Sequence, residues 1–400
     1  MIDNKNTVAQ AMTFGPMHHF FGYFGIQPWD VTGRYLLCLE VPFHDRPPGA
    51  EDRATVGIVE LSSGKFLPLA QTRAWNFQQA SMMHWLPKAP HSEIVFNDRE
   101  GNRFVSVILD IHTGERRLLP QPISAMSHNG KTALSYSFSR LQWKSREYGY
   151  AGVADPYAHK YHPQEDGIYS LDLESGKYWQ VVSLADVFAT LGGKPDEMMN
   201  SPLFFNHAAY NTDDSRFAFL IQWTSHFIPK WARIWKLKKL GRSGSLIFTA
   251  DADGSDLRFL ANFKIVSHYD WRNPGEILMW AKSRERHNFY LVSDGGNKSR
   301  VIREKTLVED GHCSFSPNRR WALTDTYPDN SHFRTLKVFA WDNGPEFVLG
   351  RYYSPPALVD EIRCDLHPRW NRTGTQICFD SVHEGSRQVY VMDVSNLTRE

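Results

Sequence analysis

The stretch "CDLHPRWNRTGTQICFDS", residues 364–381, decides how this chain is interpreted. It is typical of two β-strands joined by a polar turn, because Asn, Thr and Gly favour tight turns and apolar residues stand on both sides. Related turn-and-strand stretches recur along the chain. Recurrence of one supersecondary unit indicates a repeat architecture.

Seven turns of this kind, each followed by a strand, lie at 29–40, 88–98, 127–137, 211–221, 272–281, 316–326 and 371–381. A second hairpin signal rich in Gly, Asn or Asp follows each of them, as in "ELSSGKF" and "DLESGKY". Each unit is therefore predicted to hold four short strands. Seven such units predict an all-β fold, a single seven-bladed β-propeller with four-stranded antiparallel blades over residues 1–400.

The last unit ends after its third strand, at "QVYVMDVSNLTRE". A closed ring needs a fourth strand there, and we expect residues 7–14 to supply it and so remove an open sheet edge. Insertions are predicted at about 138–168, 185–202 and 223–244. The last of these is basic and aromatic, so it is either an amphipathic helix at a membrane or partner surface or a loop or helix beside the channel.

The composition is that of a soluble globular protein, with 42% hydrophobic residues and a formal net charge of +1. This charge gives no electrostatic reason to expect nucleic acid as a partner. No apolar signal region and no transmembrane run stands out, which predicts a cytoplasmic protein, or a periplasmic or secreted one if a signal was removed. Four scattered cysteines lack zinc spacing, so neither disulfides nor structural zinc are expected. No feature of the sequence indicates the oligomeric state.

Histidine occupies one equivalent position in five of the seven units. With the units aligned on their turns, the residue five before Pro317 is His312, and the same offset gives His84, His207, His268 and His367. This position begins the innermost strand of a blade, so the five imidazoles should converge on one pocket at the central channel. Packing would favour Val, Ile or Leu there, which indicates a functional pocket; the alternative is a channel of waters and hydrogen-bonded histidines.

Asp365 stands two residues before His367, so both side chains point to the same side of a strand. Together with His312 from the adjacent unit they form a set of two histidines and one carboxylate. Mixed nitrogen and oxygen ligands suit Mn²⁺, Fe²⁺ or Zn²⁺ or, with more oxygens, Ca²⁺. The alternative is that Asp365 only bonds its neighbours.

The stretches "GHCSFSPNRRW" and "DLHPRWNRTGTQICFDSVHEGSRQVYVMD" resemble the oligogalacturonate lyases. Those are seven-bladed propellers that bind Mn²⁺ through a His in a blade-start motif and a Gln…His-Pro-His cluster in the next blade. The resemblance implies that His312 is the first metal ligand and His367 the last. Asp365 stands where the family has another His, and Ile362 where it has Gln, so the resemblance implies an altered site for Mn²⁺ or Ca²⁺.

The N-terminal stretches "HHFFGYFGIQPWD" and "MMHWLP" look more like the ulvan lyases and rhamnose–glucuronate lyases, which act on uronic-acid glycans. This resemblance implies a His and a Tyr from early blades as acid and base, matched by His84 and Tyr150. The family also uses an Arg to neutralise the uronate, and Arg140, Arg146 and Lys160 are the possible carboxylate partners here. The oligogalacturonate lyases use an Arg as base in a mid-chain blade, and Arg242 stands near that position.

A polysaccharide lyase removes the C5 proton of a uronate and expels the C4 oxygen. The reaction needs a base, an acid and a metal or Arg that neutralises the carboxylate. The histidines, with His207 and His268 as further catalytic candidates, predict an enzyme that cleaves a uronate-containing oligosaccharide by β-elimination. The alternatives are a glycoside hydrolase on the same propeller, with an acid and a water-activating base, and a non-catalytic scaffold like the TolB-type propellers.

Overall fold

Strands make up most of the regular structure, and the helices are short. The structure is a computed structural model that describes residues 2–3, 7–192, 196–224, 243–260, 263, 265–283, 286–295, 298–341 and 343–398. Arg242 and most of the predicted insertion at 223–244 lie outside the described residues.

The N-terminal part of the chain folds into three four-stranded antiparallel sheets. Two short strands precede them and join later sheets: β1 (Ile2–Asp3) and β2 (Gln10–Ala11). The first sheet contains β3 (His18–Phe20), β4 (Tyr35–Val41), β5 (Ala54–Glu60) and β6 (Lys65–Thr72). The second contains β7 (His84–Trp85), β8 (Glu93–Glu100), β9 (Arg103–Asp110) and β10 (Arg116–Leu119). The third contains β11 (Ala125–Met126), β12 (Thr132–Ser135), β13 (Gly167–Asp172) and β14 (Tyr178–Ser183).

The middle of the chain forms eight connected strands. They are β15 (Leu203–Tyr210), β16 (Arg216–Thr224), β17 (Ser243–Asp251), β18 (Arg258–Phe259), β19 (Ile265–Asn273), β20 (Glu276–Lys282), β21 (His287–Ser293) and β22 (Ser299–Ile302). Pairing is antiparallel within β15–β18 and within β19–β22. The two halves are joined by one parallel pair, Ser245 with Ile265.

The C-terminal part forms two more sheets. One contains β23 (Ser314–Phe315), β24 (Trp321–Thr324), β25 (Phe333–Ala340) and β26 (Glu346–Tyr353), with β1 parallel to β26. The other contains β27 (Arg369–Trp370), β28 (Gln376–Ser381) and β29 (Gln388–Asp393). Strand β2 pairs antiparallel with β29, so the expected contribution of residues 7–14 to the last sheet is confirmed.

These repeated antiparallel sheets are those of a propeller-like all-β fold. The helices are α1 (Phe138–Lys144), α2 (Leu184–Thr190), α3 (Asp196–Met199) and α4 (Ser395–Thr398), with a 3₁₀ turn at Asp360–Ile362. Helix α1 lies in the predicted insertion 138–168, and α2 and α3 lie largely in 185–202. Within the described residues, no helix has the length and apolar character needed to cross a membrane.

A buried ion pair holds the N-terminal loop against the last sheet. Arg369 Nη2 lies 2.9 Å from Asp380 Oδ1, and both side chains are 1% exposed. The Asp380 carboxylate also accepts the backbone N–H groups of Phe21 (3.2 Å) and Gly22 (2.8 Å). This network therefore fixes where the following residues of the loop enter the centre of the molecule.

Candidate functional site

Four of the five predicted histidines form a row. The ring centroids of His207 and His268 are 6.1 Å apart, those of His268 and His312 are 4.0 Å apart, and those of His312 and His367 are 4.2 Å apart. All four are buried. His207 and His268 lie within β15 and β19, and His312 and His367 stand two residues before β23 and β27. The repeat therefore places them in, or just before, the first strand of four successive strand units.

Two members of the row have a strained backbone. The φ angles of His207 and His367 are 49° and 42°, in the left-handed region that non-glycine residues rarely adopt. The β15–β16 register shifts between Asn206 and Ala209, which accommodates His207 within its strand. Strain of this kind, about 1–3 kcal/mol per residue, is concentrated at functional sites. The packing therefore holds these two imidazoles in position at the expense of local stability.

His312, Asp365 and His367 form a group that could hold a metal ion. One ligand atom from each lies within 4.8 Å of the other two. The His312 Nδ1 atom is 2.9 Å and 3.0 Å from the two oxygens of Asp325, which leaves Nε2 as its ligand atom. A carboxylate behind a histidine in this way fixes the ring and its tautomer.

Asp365 is also paired with two arginines. Arg363 Nε donates to Oδ2 at 2.7 Å, and Arg334 Nη2 lies 2.8 Å from Oδ1. The second contact lacks hydrogen-bond geometry, so Oδ1 has no hydrogen bond among the described residues and keeps its acceptor capacity. Burial alone would raise the pKa of Asp365, but the charges of Arg363 and Arg334 hold that pKa well below its usual value. The carboxylate is therefore charged.

The donor set fits a transition-metal ion better than Ca²⁺. It supplies two imidazole nitrogens and one carboxylate, whereas Ca²⁺ takes about six to eight oxygens. Burial holds the pKa of His367 well below its usual value, so its nitrogen lone pair is available at neutral pH. An ion here would share Asp365 with two guanidinium groups.

The N-terminal loop covers one side of the row. The Phe24 ring centroid lies 5.1 Å from that of His312, 5.7 Å from that of His268 and 6.2 Å from that of His367. Beside it, the Tyr23 hydroxyl is 3.1 Å from His207 Nδ1. Both rings also line a cavity of about 100 Å³. His207 and His268 of the row line the same cavity.

His84 lies on this cavity and not in the row. Its Nε2 atom is buried with no hydrogen-bond partner among the described residues. Burial lowers the pKa of His84 to about 3, and burial also holds the pKa of His207 well below its usual value. Both imidazoles are therefore neutral at physiological pH.

Two partly exposed tyrosines lie against the row. The Tyr148 ring centroid is 5.0 Å from that of His207, and the Tyr327 centroid is 6.2 Å from that of His268 and 6.1 Å from that of His312. Arg363 Nη2 donates to the Tyr148 hydroxyl at 3.0 Å. The sequence did not single out Tyr148 or Arg363, although they stand two residues before the candidates Tyr150 and Asp365.

Tyr150 and Arg140 are placed as structural residues, which argues against their predicted contact with substrate. Tyr150 is completely buried and stacks on Phe138 at 4.3 Å. Arg140 is 1% exposed and lies 3.0 Å from Asp155 Oδ2. Its guanidinium also donates to the backbone carbonyls of Leu203, Tyr157, Lys160 and Tyr161. Burial and internal bonds explain both residues. Arg242 lies outside the described residues, so its predicted role stays a prediction.

No protein-family model and no curated protein matches the sequence. Among solved structures, the chain is similar to an oligogalacturonate lyase from Vibrio parahaemolyticus, with a TM-score of 0.64 at 12% identity over 98% of this chain and 96% of that one. It is also similar to an oligogalacturonate lyase in complex with manganese, with a TM-score of 0.64 at 14% identity over 98% and 95% of the two chains. A puromycin-hydrolysing peptidase from Mycobacterium tuberculosis matches at a TM-score of 0.50 and 13% identity, over 90% of this chain and 50% of the peptidase. At these identities the likeness establishes a shared fold.

Proposed function

We propose that the protein is a lyase-like enzyme that cleaves a uronate-containing oligosaccharide by β-elimination on a seven-bladed β-propeller. The observation that carries the proposal is the row of four histidines from separate strand units, beside a three-ligand group and two partly exposed tyrosines. Base, acid and charge-neutralising groups are then available in one place, as the reaction requires.

We infer that His312, Asp365 and His367 hold a divalent cation. The donors suit Mn²⁺, Fe²⁺ or Zn²⁺, and Mn²⁺ is chosen because a structurally similar oligogalacturonate lyase is in complex with manganese. Such an ion, when bound, supplies positive charge that neutralises the uronate carboxylate and makes the C5 proton more acidic. Asp325 orients His312 in this arrangement, and Arg334 and Arg363 keep Asp365 ionised.

Hydrogen-bond partners and burial suggest which groups act as base and acid. His268 Nδ1 lies 3.0 Å from Asp310 Oδ1, so its N–H donates to the carboxylate and Nε2 keeps a lone pair for the C5 proton. Burial lowers the pKa of His268, although Asp310 opposes this effect, so the imidazole is neutral and can accept that proton. Burial also keeps His207 neutral, so the proton for the C4 oxygen would come from one of the tyrosines beside the row, Tyr148 or Tyr327.

The hydrolase alternative has less support. A glycosidase needs one carboxyl group as acid and a second carboxylate as base or nucleophile. Near the row, Asp310 and Asp325 are bonded to histidines and Asp365 is paired with two arginines. These carboxylates are thus engaged in orienting other side chains.

Incubation with a panel of galacturonate- and glucuronate-containing oligosaccharides tests the proposal. We expect a product that absorbs in the ultraviolet, because β-elimination leaves a C4–C5 double bond next to the carboxylate. New reducing ends without this absorption would show a hydrolase. Binding without cleavage across the panel would show a scaffold, and either outcome would overturn the proposal.

Asp325→Asn should weaken Mn²⁺ binding by roughly 10–100-fold. The substitution keeps the side-chain volume but removes the charged acceptor that orients His312 through its Nδ1 atom. Calorimetric titration with Mn²⁺ measures the change directly, without any substrate. Asp213→Asn, in a surface turn where the carboxylate accepts from Ser215, is the matched control. Equal Mn²⁺ affinity of Asp325→Asn and the unmodified protein would contradict the role of Asp325 in orienting His312.

A further inference from the structure

A single guanidinium, that of Arg363, contacts two carboxylates and a phenol beside the row. Its Nε donates to Asp365 Oδ2 at 2.7 Å, its Nη1 to Glu147 Oε2 at 2.6 Å, and its Nη2 to the Tyr148 hydroxyl at 3.0 Å. The side chain of Arg363 is 10% exposed. The two carboxylates differ in burial, because the side chain of Asp365 is 0% exposed and that of Glu147 is 26% exposed.

Glu147 is held at this position by its neighbours in the chain. A Cβ on Gly149 would lie 2.0 Å from the backbone nitrogen of Gln142, so the chain packs directly on α1 here. Asn76 Nδ2 donates to the Gly149 carbonyl at 3.2 Å, and Tyr150 is anchored in the core. Because Gly149 and Tyr150 are packed in this way, the preceding residues Glu147 and Tyr148 are held in contact with Arg363.

The two ion pairs differ in how readily they can exchange. Asp365 is enclosed, and removing its partner would leave a buried charge uncompensated. The Glu147 side chain is 26% exposed, so its carboxylate can be hydrated again when it leaves Arg363. An incoming anion would therefore displace Glu147 and leave Asp365 in place.

We propose that Arg363 Nη1 is the binding point for a uronate carboxylate and that Glu147 occupies this point in the free protein. This inference rests on the proposed function, since it names the group that receives the acid of the substrate. A guanidinium keeps its charge at all working pH values and recognises carboxylates through fixed N–H directions. Nε and Nη2 keep their bonds to Asp365 and Tyr148, and Nη1 keeps its bond to the Asp360 carbonyl at 3.0 Å. Only the bond from Nη1 to Glu147 is exchanged.

This exchange has a consequence that an ordinary contact residue would not produce. Glu147→Gln removes the competing charge, so uronate binding should become tighter by about tenfold, or 1.4 kcal/mol. Arg363→Lys keeps a positive charge for Asp365 but loses the directed N–H groups, so uronate binding should weaken by about tenfold. Binding of neutral sugars should not respond to either substitution.

The test is calorimetric titration with D-galacturonate, D-glucuronate and, as a neutral control, D-galactose, in buffer containing Mn²⁺. Glu165→Gln is the matched control variant, because Glu165 pairs with Lys160 at 2.5 Å on the surface. We expect tighter binding of at least one uronate by Glu147→Gln and no change for Glu165→Gln. Equal or weaker binding of both uronates by Glu147→Gln, including no detectable binding, would overturn the inference.

The same proteins in the ultraviolet assay separate this inference from the proposed function. Tighter uronate binding by Glu147→Gln, with no unsaturated product from any glycan, would support the carboxylate site and contradict the lyase proposal. Unsaturated product with no effect of Glu147→Gln on binding would support the lyase proposal and contradict the role of Glu147.

Discussion

Replacing His312 or His367 by Ala should abolish Mn²⁺ binding and uronate-glycan cleavage, with losses of roughly 100-fold or more in each. Each substitution removes one of the three ligand atoms that lie within 4.8 Å of one another. Both residues precede short strands and make no ladder bond through their side chains, so the fold should be retained. Calorimetric Mn²⁺ titration and the ultraviolet assay measure the two effects separately.

His112→Ala is the control for this pair of variants. His112 is an exposed residue in a surface turn, and its imidazole contacts a backbone carbonyl. The control should bind Mn²⁺ and cleave glycans like the unmodified protein. Activity that survives both His312→Ala and His367→Ala in well-folded protein would contradict the metal assignment.

Asp380→Asn should lower the free energy of unfolding by about 3–5 kcal/mol. The substitution removes the charge opposite Arg369, which is 1% exposed, and leaves a buried guanidinium without its counter-ion. It also weakens the acceptor for the backbone N–H groups of Phe21 and Gly22. Urea denaturation followed by circular dichroism gives the difference in unfolding free energy.

Asp329→Asn provides the comparison for Asp380→Asn. Asp329 pairs with Arg351 on the surface, where both side chains reach water. Its replacement should change the unfolding free energy by no more than about 1 kcal/mol. Equal effects of the two substitutions would show that the Asp380 network does not hold the N-terminal loop to the last sheet.

The histidine row could be predicted from sequence because residues at the same distance from their turns occupy equivalent positions in successive repeat units. His207, His268, His312 and His367 share a fixed distance from their turns, and the structure brings their rings together. His84 shares the offset and lines the same cavity as His207 and His268, but its ring does not join the row. The offset alone therefore identified the region of the site but not which of the five rings stack together.

The rest of the site depends on contacts between distant segments. Phe24 meets three histidines more than 240 positions away in sequence, and Arg363 contacts Glu147 across 216 positions. No local pattern encodes such contacts. Arg140 was selected as a substrate-binding candidate, but its guanidinium bonds backbone carbonyls inside the fold. The sequence does not distinguish a buried arginine of this kind from one that binds a substrate.

Diffraction from crystals soaked in Mn²⁺ tests the metal site itself, because anomalous scattering locates the ion without assuming any activity. We expect one strong anomalous peak in contact with His312, Asp365 and His367, and its absence from crystals of His367→Ala. A Mn²⁺ peak elsewhere with none at these three side chains, or crystals that take up no ion at all, would contradict the proposed metal site.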